Sequence, residues 1–339
     1  MRVKLLSLPC VCYICSICAI AIIPQLSLVN KTAISNVLVN PSSLSLSTPD
    51  TPAGFQAPLT FDKTQPLNAF NLWRSALAAM YELAAKGWND HLTAKAWVLA
   101  ISGFNVDAII LADEPVLVKV GYIIIAFYNA VNAMFQLQPG FFRCDTDFIL
   151  HGRKIGSMEI FSEASRPGAN FGNATSGNNT VNSLTATAPQ VDSEVVNAAI
   201  SKHRGSNILR GTSVDPDDPK LTIEFEDGRP VPRQDLWTSV LDGMATAAQY
   251  DAGARCQFIT AVSISGNLAI HINEVSNHLL SYRVAMKTFR LVALLSMSSR
   301  KYVEQEISMF YDGIKLAEGY VLKLSNAALE VGNEPMSHE

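Results

Sequence analysis

Charge is scarce in this chain. Charged residues fill 17% of its 339 positions and hydrophobic residues 48%. That balance excludes a disordered polyelectrolyte, which cannot bury enough apolar surface to fold. No run of Lys or Arg is present, so the electrostatic footprint of a nucleic-acid binder is missing. The formal net charge is only -4, and no acidic tail accompanies it.

Usable cysteine is scarcer still. Of six cysteines, Cys10, Cys12, Cys15 and Cys18 fall in the first 18 residues. Only Cys144 and Cys256 lie beyond, and two readings stand for them: one disulfide in an oxidising compartment, or two buried free thiols.

Catalytic signatures are also lacking. No G-x-S-x-G elbow occurs, and the six histidines form no H-E-x-x-H or H-x-H spacing. Ser265 stands in Ile-Ser-Gly-Asn, read as a hairpin turn. His271 alternates with Ile270 and Ile272, which places it on the polar face of a strand. Glu304 with Glu306, and Asp145 with Asp147, each share one strand face, read as solvated sheet surface. The acidic run at 215–220 lacks the ligand spacing of a calcium loop and reads as an exposed turn. No catalytic, cofactor-binding or metal-binding residue is assigned, and no cofactor is expected.

The N-terminus does carry a signal. Arg2 and Lys4 precede an apolar run at 5–23, and Ala19-Ile20-Ala21 has the small-x-small form of a cleavage site. This predicts a secretory signal peptide over 1–21 and an extracellular protein with no membrane attachment after cleavage. An uncleaved anchor is the alternative. Three N-x-Ser/Thr sequons, at Asn30, Asn173 and Asn178, suit a glycoprotein.

Inside the chain the leading feature is repetition. Trp73, Leu77, Met80 and Ala84 mark one helical face and recur as Trp237, Leu241, Met244 and Ala248, 164 positions on. Leu59-Thr60-Phe61 is answered by Leu221-Thr222-Ile223, the Ile-Ser-Gly hairpin recurs at 264–266, and Phe289 follows Phe127. The turn Gly152, Lys154, Ile155, Gly156 returns as Gly313, Lys315, Leu316, Ala317. Ordered anchors at a nearly constant offset indicate an internal duplication. The expected fold is α+β: two homologous units, each β-α-β-β-α-β-β, a mainly antiparallel sheet with two helices on one face. The expected layout is a Ser/Thr/Pro-rich flexible extension at 22–58, a first unit at 59–161, a disordered linker at 162–205, a second unit at 206–325 and a flexible tail at 326–339. Whether the units share one core is left open.

This order of short strand, Pro-containing turn, helix, Ile-Ser-Gly hairpin, second helix and closing Gly-x-Lys strand pair resembles a class of uncharacterised secreted proteins of filamentous fungi. The resemblance implies secretion and this fold, and brings no activity or site residue. The reading is a secreted glycoprotein with a non-catalytic binding or structural role and a protein or glycan partner. The alternatives are a secreted hydrolase with a site assembled between the units, and a signal-anchored surface protein.

Overall fold

A computed structural model describes residues 37–38, 51–99, 106–136, 140–162, 209–275 and 279–324. Strands β1 (Val37–Leu38), β2 (Phe55–Gln56), β3 (Leu59–Pro66), β4 (Ala96–Leu99), β5 (Val106–Ala112), β6 (Phe142–Leu150) and β7 (Arg153–Ser162) form one antiparallel sheet in the order β1-β3-β6-β7-β5-β4, with β2 also on β6. Strands β8 (Leu209–Val214), β9 (Leu221–Pro230), β10 (Phe258–Val262), β11 (Leu268–Glu274), β12 (Val303–Tyr311) and β13 (Ile314–Lys323) form the second, ordered β10-β11-β13-β12-β9-β8. The two orders are the same topology. Each copy is an antiparallel sheet carrying two helices: α1 (Ala69–Ala84) and α2 (Val120–Gln136) in the first, α3 (Arg233–Ala247) and α4 (Tyr282–Ser299) in the second.

The duplication extends to single hydrogen bonds. The Leu92 N–H donates to Val118 O, and the Cys256 N–H to Leu280 O. Gly121 donates to Trp88 and Arg283 to Ala252; Leu67 donates to Phe141 and Val231 to Tyr302. The closing hairpins turn alike, with left-handed φ of 49° and 79° at His151 and Gly152, and 53° and 79° at Asp312 and Gly313. A glycine at the second position of each turn removes the Cβ penalty of that conformation.

Three sequence expectations change. The 22–58 extension is not wholly without structure, because β1 pairs with β3 and β2 with β6. Phe55 is buried and stacks on Tyr122 with ring centroids 4.4 Å apart. Two-residue strands carry no readable alternation, so the sequence gives no warning of them. Second, sheet register equates Leu221-Thr222 with Phe55-Gln56, since these pairs oppose Tyr311-Phe310 and Leu150-Ile149. The Leu-Thr-apolar match to 59–61 is therefore fortuitous, and β9 does in one strand what β2 and β3 do in two. Third, Cys144 and Cys256 are both free and buried, so the disulfide reading is replaced by two separate thiols. Hydrogen bonding explains the mismatch: Cys144 lies on β6, whereas Cys256 occupies the loop position that Leu92 holds in the first copy. The 1–21 segment, residues 163–205, the tail, and Asn30, Asn173 and Asn178 lie outside the described residues.

The open question about the core is settled. One apolar cluster runs through both copies, from Phe61, Trp73 and Phe148 to Trp237, Phe289 and Met309. Helix α1 packs on α3, α2 on α3, and α1 on α4, so the helices lie between the two sheets. Helix α2 buries Val120 through Phe135 without interruption, as expected of a helix apolar on all sides. Among the described residues no helix is long and apolar enough to cross a membrane.

Candidate functional site

The junction of the copies is the natural place for a shared site, and its geometry starts from the duplicated tryptophans. Trp73 and Trp237 occupy equivalent helical positions and stack face to face, centroids 4.8 Å apart and planes within 10°. Phe135 of α2 meets both indoles, at 6.5 and 5.9 Å. Arg233 lies 4.8 Å from the Trp237 ring centroid, a cation–π contact. Both indoles are almost fully buried, so the tryptophans act as core anchors.

Beside the stack the copies exchange polar contacts. The Tyr128 hydroxyl of α2 donates to Asp242 Oδ1 of α3 at 2.9 Å, and the Val262 N–H donates to Asp242 Oδ2 at 3.0 Å. At the position equivalent to Tyr128, Arg290 of α4 lies 4.3 Å from the Tyr81 ring centroid on α1. Lys287, one turn earlier, donates to Asp218 at 2.6 Å, and Arg290 also pairs with Asp217. The Lys287 bond, against some burial, holds the Asp218 carboxyl below its ordinary range. Burial works to lower the Lys287 ammonium, but the Asp218 carboxylate outweighs it and the value stays raised. The acidic run at 215–220 is therefore a docking turn for α4. Asp215 closes it by accepting from the N–H groups of Asp217 and Asp218 at 2.8 and 3.2 Å.

The other residues singled out from sequence scatter over the two sheets. Ser265 is a turn serine, donating to Asp235 at 2.7 Å. His271 does sit on the outer sheet face, but it is half-buried rather than free in solvent. Its Nδ1 lies 2.7 Å from Thr260 Oγ1, and burial pushes its pKa down. Glu304 and Glu306 share a face, yet they part in role. Glu304 is 1% exposed, takes a two-pronged bond from Arg229 at 2.7 and 2.9 Å, and accepts from the Lys323 N–H at 3.0 Å. Its partial neighbour Glu306 is half-exposed across the ladder from Glu226. Asp147 pairs with Lys154 at 2.6 Å, and Asp145 lies 3.7 Å from Arg143. None of these carboxylates converges with another on a common point. Among the described residues no group of three metal-ligating side chains gathers.

Sequence reasoning missed two features. Helix α3 carries a buried polar stripe, Asp235, Thr238 and Asp242, spaced i, i+3, i+7. It covers the free edge of the β10–β11 hairpin: Thr238 Oγ1 accepts from the Ile264 N–H at 3.3 Å, alongside the Asp242 and Asp235 bonds. Covering an edge with a helix is a recognised guard against stray strand pairing. The second feature is a set of exposed apolar side chains where segment 250–258 runs beside residues 273–275 and 279–282. Tyr250, Phe258, Val275 and Leu279 are 52%, 63%, 44% and 49% exposed. Tyr250 stacks on Tyr282 at 4.2 Å.

No family model matches the chain, and no curated protein matches its sequence. Among solved structures it is similar to the tandem DUF26 ectodomain of the Arabidopsis thaliana cysteine-rich receptor-like protein PDLP8, at 7% identity and a TM-score of 0.20, over 80% of this chain and 98% of that one. It is also similar to a hot dog fold protein of unknown function from Alicyclobacillus acidocaldarius, at 8% identity and TM-score 0.13, covering 84% and 97%. An acyl-CoA thioesterase II from Mycobacterium marinum gives 8% identity and TM-score 0.14, covering 84% and 98%. Scores of this size carry no argument, and the fold rests on the chain's own strand order and hydrogen bonds.

Proposed function

We propose that this chain is an extracellular, non-catalytic binding protein, delivered by its N-terminal signal, whose contact surface lies on the rim of the second copy. One observation carries the reading. The backbone bonds that frame the rim are shared by both copies, but of its four apolar side chains only Leu279 has an apolar counterpart of its size, Leu117. Where the second copy shows Tyr250, Phe258 and Val275, the hydrogen-bond register places Lys86, Ala96 and Asp113 in the first. The scaffold therefore tolerates small or charged residues at these positions, and the second copy spends them on exposed apolar surface. Large exposed apolar groups carried on neighbouring segments suit an interaction site. The partner is an extracellular protein or glycan.

The test has two parts. N-terminal sequencing of the protein from culture medium, with a mass shift on deglycosylation, checks delivery; an intact Met1 on membranes would overturn it. Retention of the purified protein on cell-surface and wall preparations checks binding. A Tyr250→Asp/Phe258→Asp double variant with unchanged circular dichroism should lose retention. Equal retention of the variant would remove the rim from consideration.

A further inference from the structure

Three amides of helix α2 carry buried polar atoms with no partner among the described residues. Asn132 is fully buried, and neither its Oδ1 nor its Nδ2 has a partner among the described residues. Asn129, 5% exposed, has an unpartnered Oδ1, and Gln136 an unpartnered Oε1. Positions 129, 132 and 136 follow the i, i+3, i+7 spacing of one helix face. Phe135 is one turn beyond Asn132 and packs against both stacked indoles, so this face adjoins the tryptophan pair. The indole Nε1–H groups of Trp73 and Trp237 are themselves buried without an acceptor. Polar atoms without a described partner thus occur on α1, α2 and α3, the three helices that pack on one another where the copies meet.

The fold does not require amides there. The duplication sets Leu291, Leu294 and Ser298 of α4 at the equivalent positions. A leucine at 132 would avoid the desolvation of two polar atoms, which is costly when no partner is present. Buried indole N–H groups also ordinarily find acceptors. Ordered water satisfies such sites when two to four polar partners can reach it.

We propose that the junction of the two copies is an internal hydration site, in which Asn132 holds ordered water that the neighbouring amides and the indole N–H groups of Trp73 and Trp237 share. Tyr128, one turn before Asn132 on α2, connects this face to Asp242 and so to the second copy. The water then serves as part of the contact between copies and fixes the rotamer of each amide.

Oxygen-17 relaxation dispersion of the full chain in water tests this, together with a crystal structure fine enough to show solvent. Long-lived internal water should appear in the dispersion, and a solvent peak should lie within hydrogen-bond distance of the Asn132 amide. Asn132→Leu, close in size to the amide it replaces, should reduce the dispersion amplitude with the near-ultraviolet circular dichroism unchanged. Asn132→Ser, which keeps a polar group, should retain the amplitude and guards against a misfolded leucine variant. The proposal is overturned if the Asn132 amide bonds directly to protein groups with no water in contact, or if Asn132→Leu leaves the amplitude unchanged.

Discussion

Burial pushes the Cys256 thiol up to about 11, and it pushes Cys144, with the Asp145 charge adding to it, well above its ordinary value. Neither is a thiolate at neutral pH, so neither is a nucleophile. Iodoacetamide should leave the Cys144 and Cys256 peptides unmodified until denaturant is added, as read by mass spectrometry. Glu304 and Glu306 differ in the same way. Glu304→Ala strips Arg229 and the Lys323 N–H of their acceptor and should cost about 2–3 kcal/mol in chemical denaturation, the scale of hydrogen bonds to a charged group. Glu306→Ala should stay within about 0.5 kcal/mol, as surface substitutions do. That these two share a strand face is readable from alternation. That only one is buried is not, because Arg229 arrives from a strand 75 residues away. His271 follows the same logic. Its lowered pKa means the folded state prefers the neutral ring, so its contribution is present above the ordinary 6.5 and is lost as pH falls through the lowered value. Its ring protons should titrate by NMR with a midpoint below 6.5.

At the level of elements, the helices were the readable part and the strands the weaker part. The tryptophan-leucine-methionine stripe of α1 and α3 repeats without slip because a helix fixes its period by local hydrogen bonding. Asn68 caps α1 as its residue type favours, its Oδ1 accepting from the Asn71 N–H at 3.0 Å. The strands keep their partner order but slide, as Leu221-Thr222 shows, because register depends on partners far along the chain. The polar stripe on α3 escapes a sequence reading because its target is a strand edge that only the tertiary fold supplies. Asp242→Ala would remove the acceptor that the Val262 N–H and the Tyr128 hydroxyl share. The expected loss is about 2–4 kcal/mol for two buried groups left unmet, and the Val262 amide should exchange faster by hydrogen–deuterium exchange. Gly243 in the same helix is a second pressure point. A Cβ there would run into the Phe289 ring. Gly243→Ala should therefore destabilise by about 1–3 kcal/mol, against the gain of up to about 1 kcal/mol that an exposed helix would give.

For the whole molecule, the shared core makes the two copies one cooperative body. Thermal unfolding should give a single calorimetric transition, with calorimetric and van't Hoff enthalpies in agreement. Trp73→Ala and Trp237→Ala should each cost about 3–5 kcal/mol, the cost of truncating a buried aromatic. Their double variant should fall short of additivity, because each single change already breaks the stack. Two separated transitions, or full additivity, would contradict a common core. The duplication itself was readable from the anchors at an offset of 164, but the sharing of one core was not. A repeated apolar stripe looks the same whether it faces its own sheet or its sister copy.

The placement of that shared core has a consequence for biosynthesis. Helix α2 ends at Gln136 and its partner α3 begins at Arg233, 97 positions later. At a synthesis rate of about 5–20 residues per second, the first copy waits on the order of 5–20 s with Trp73 and the side of α2 that meets α3 uncovered. During that interval the nascent chain is a client for any chaperone that reads apolar helix. A message truncated between the copies would yield a product that lacks α3 to cover this surface.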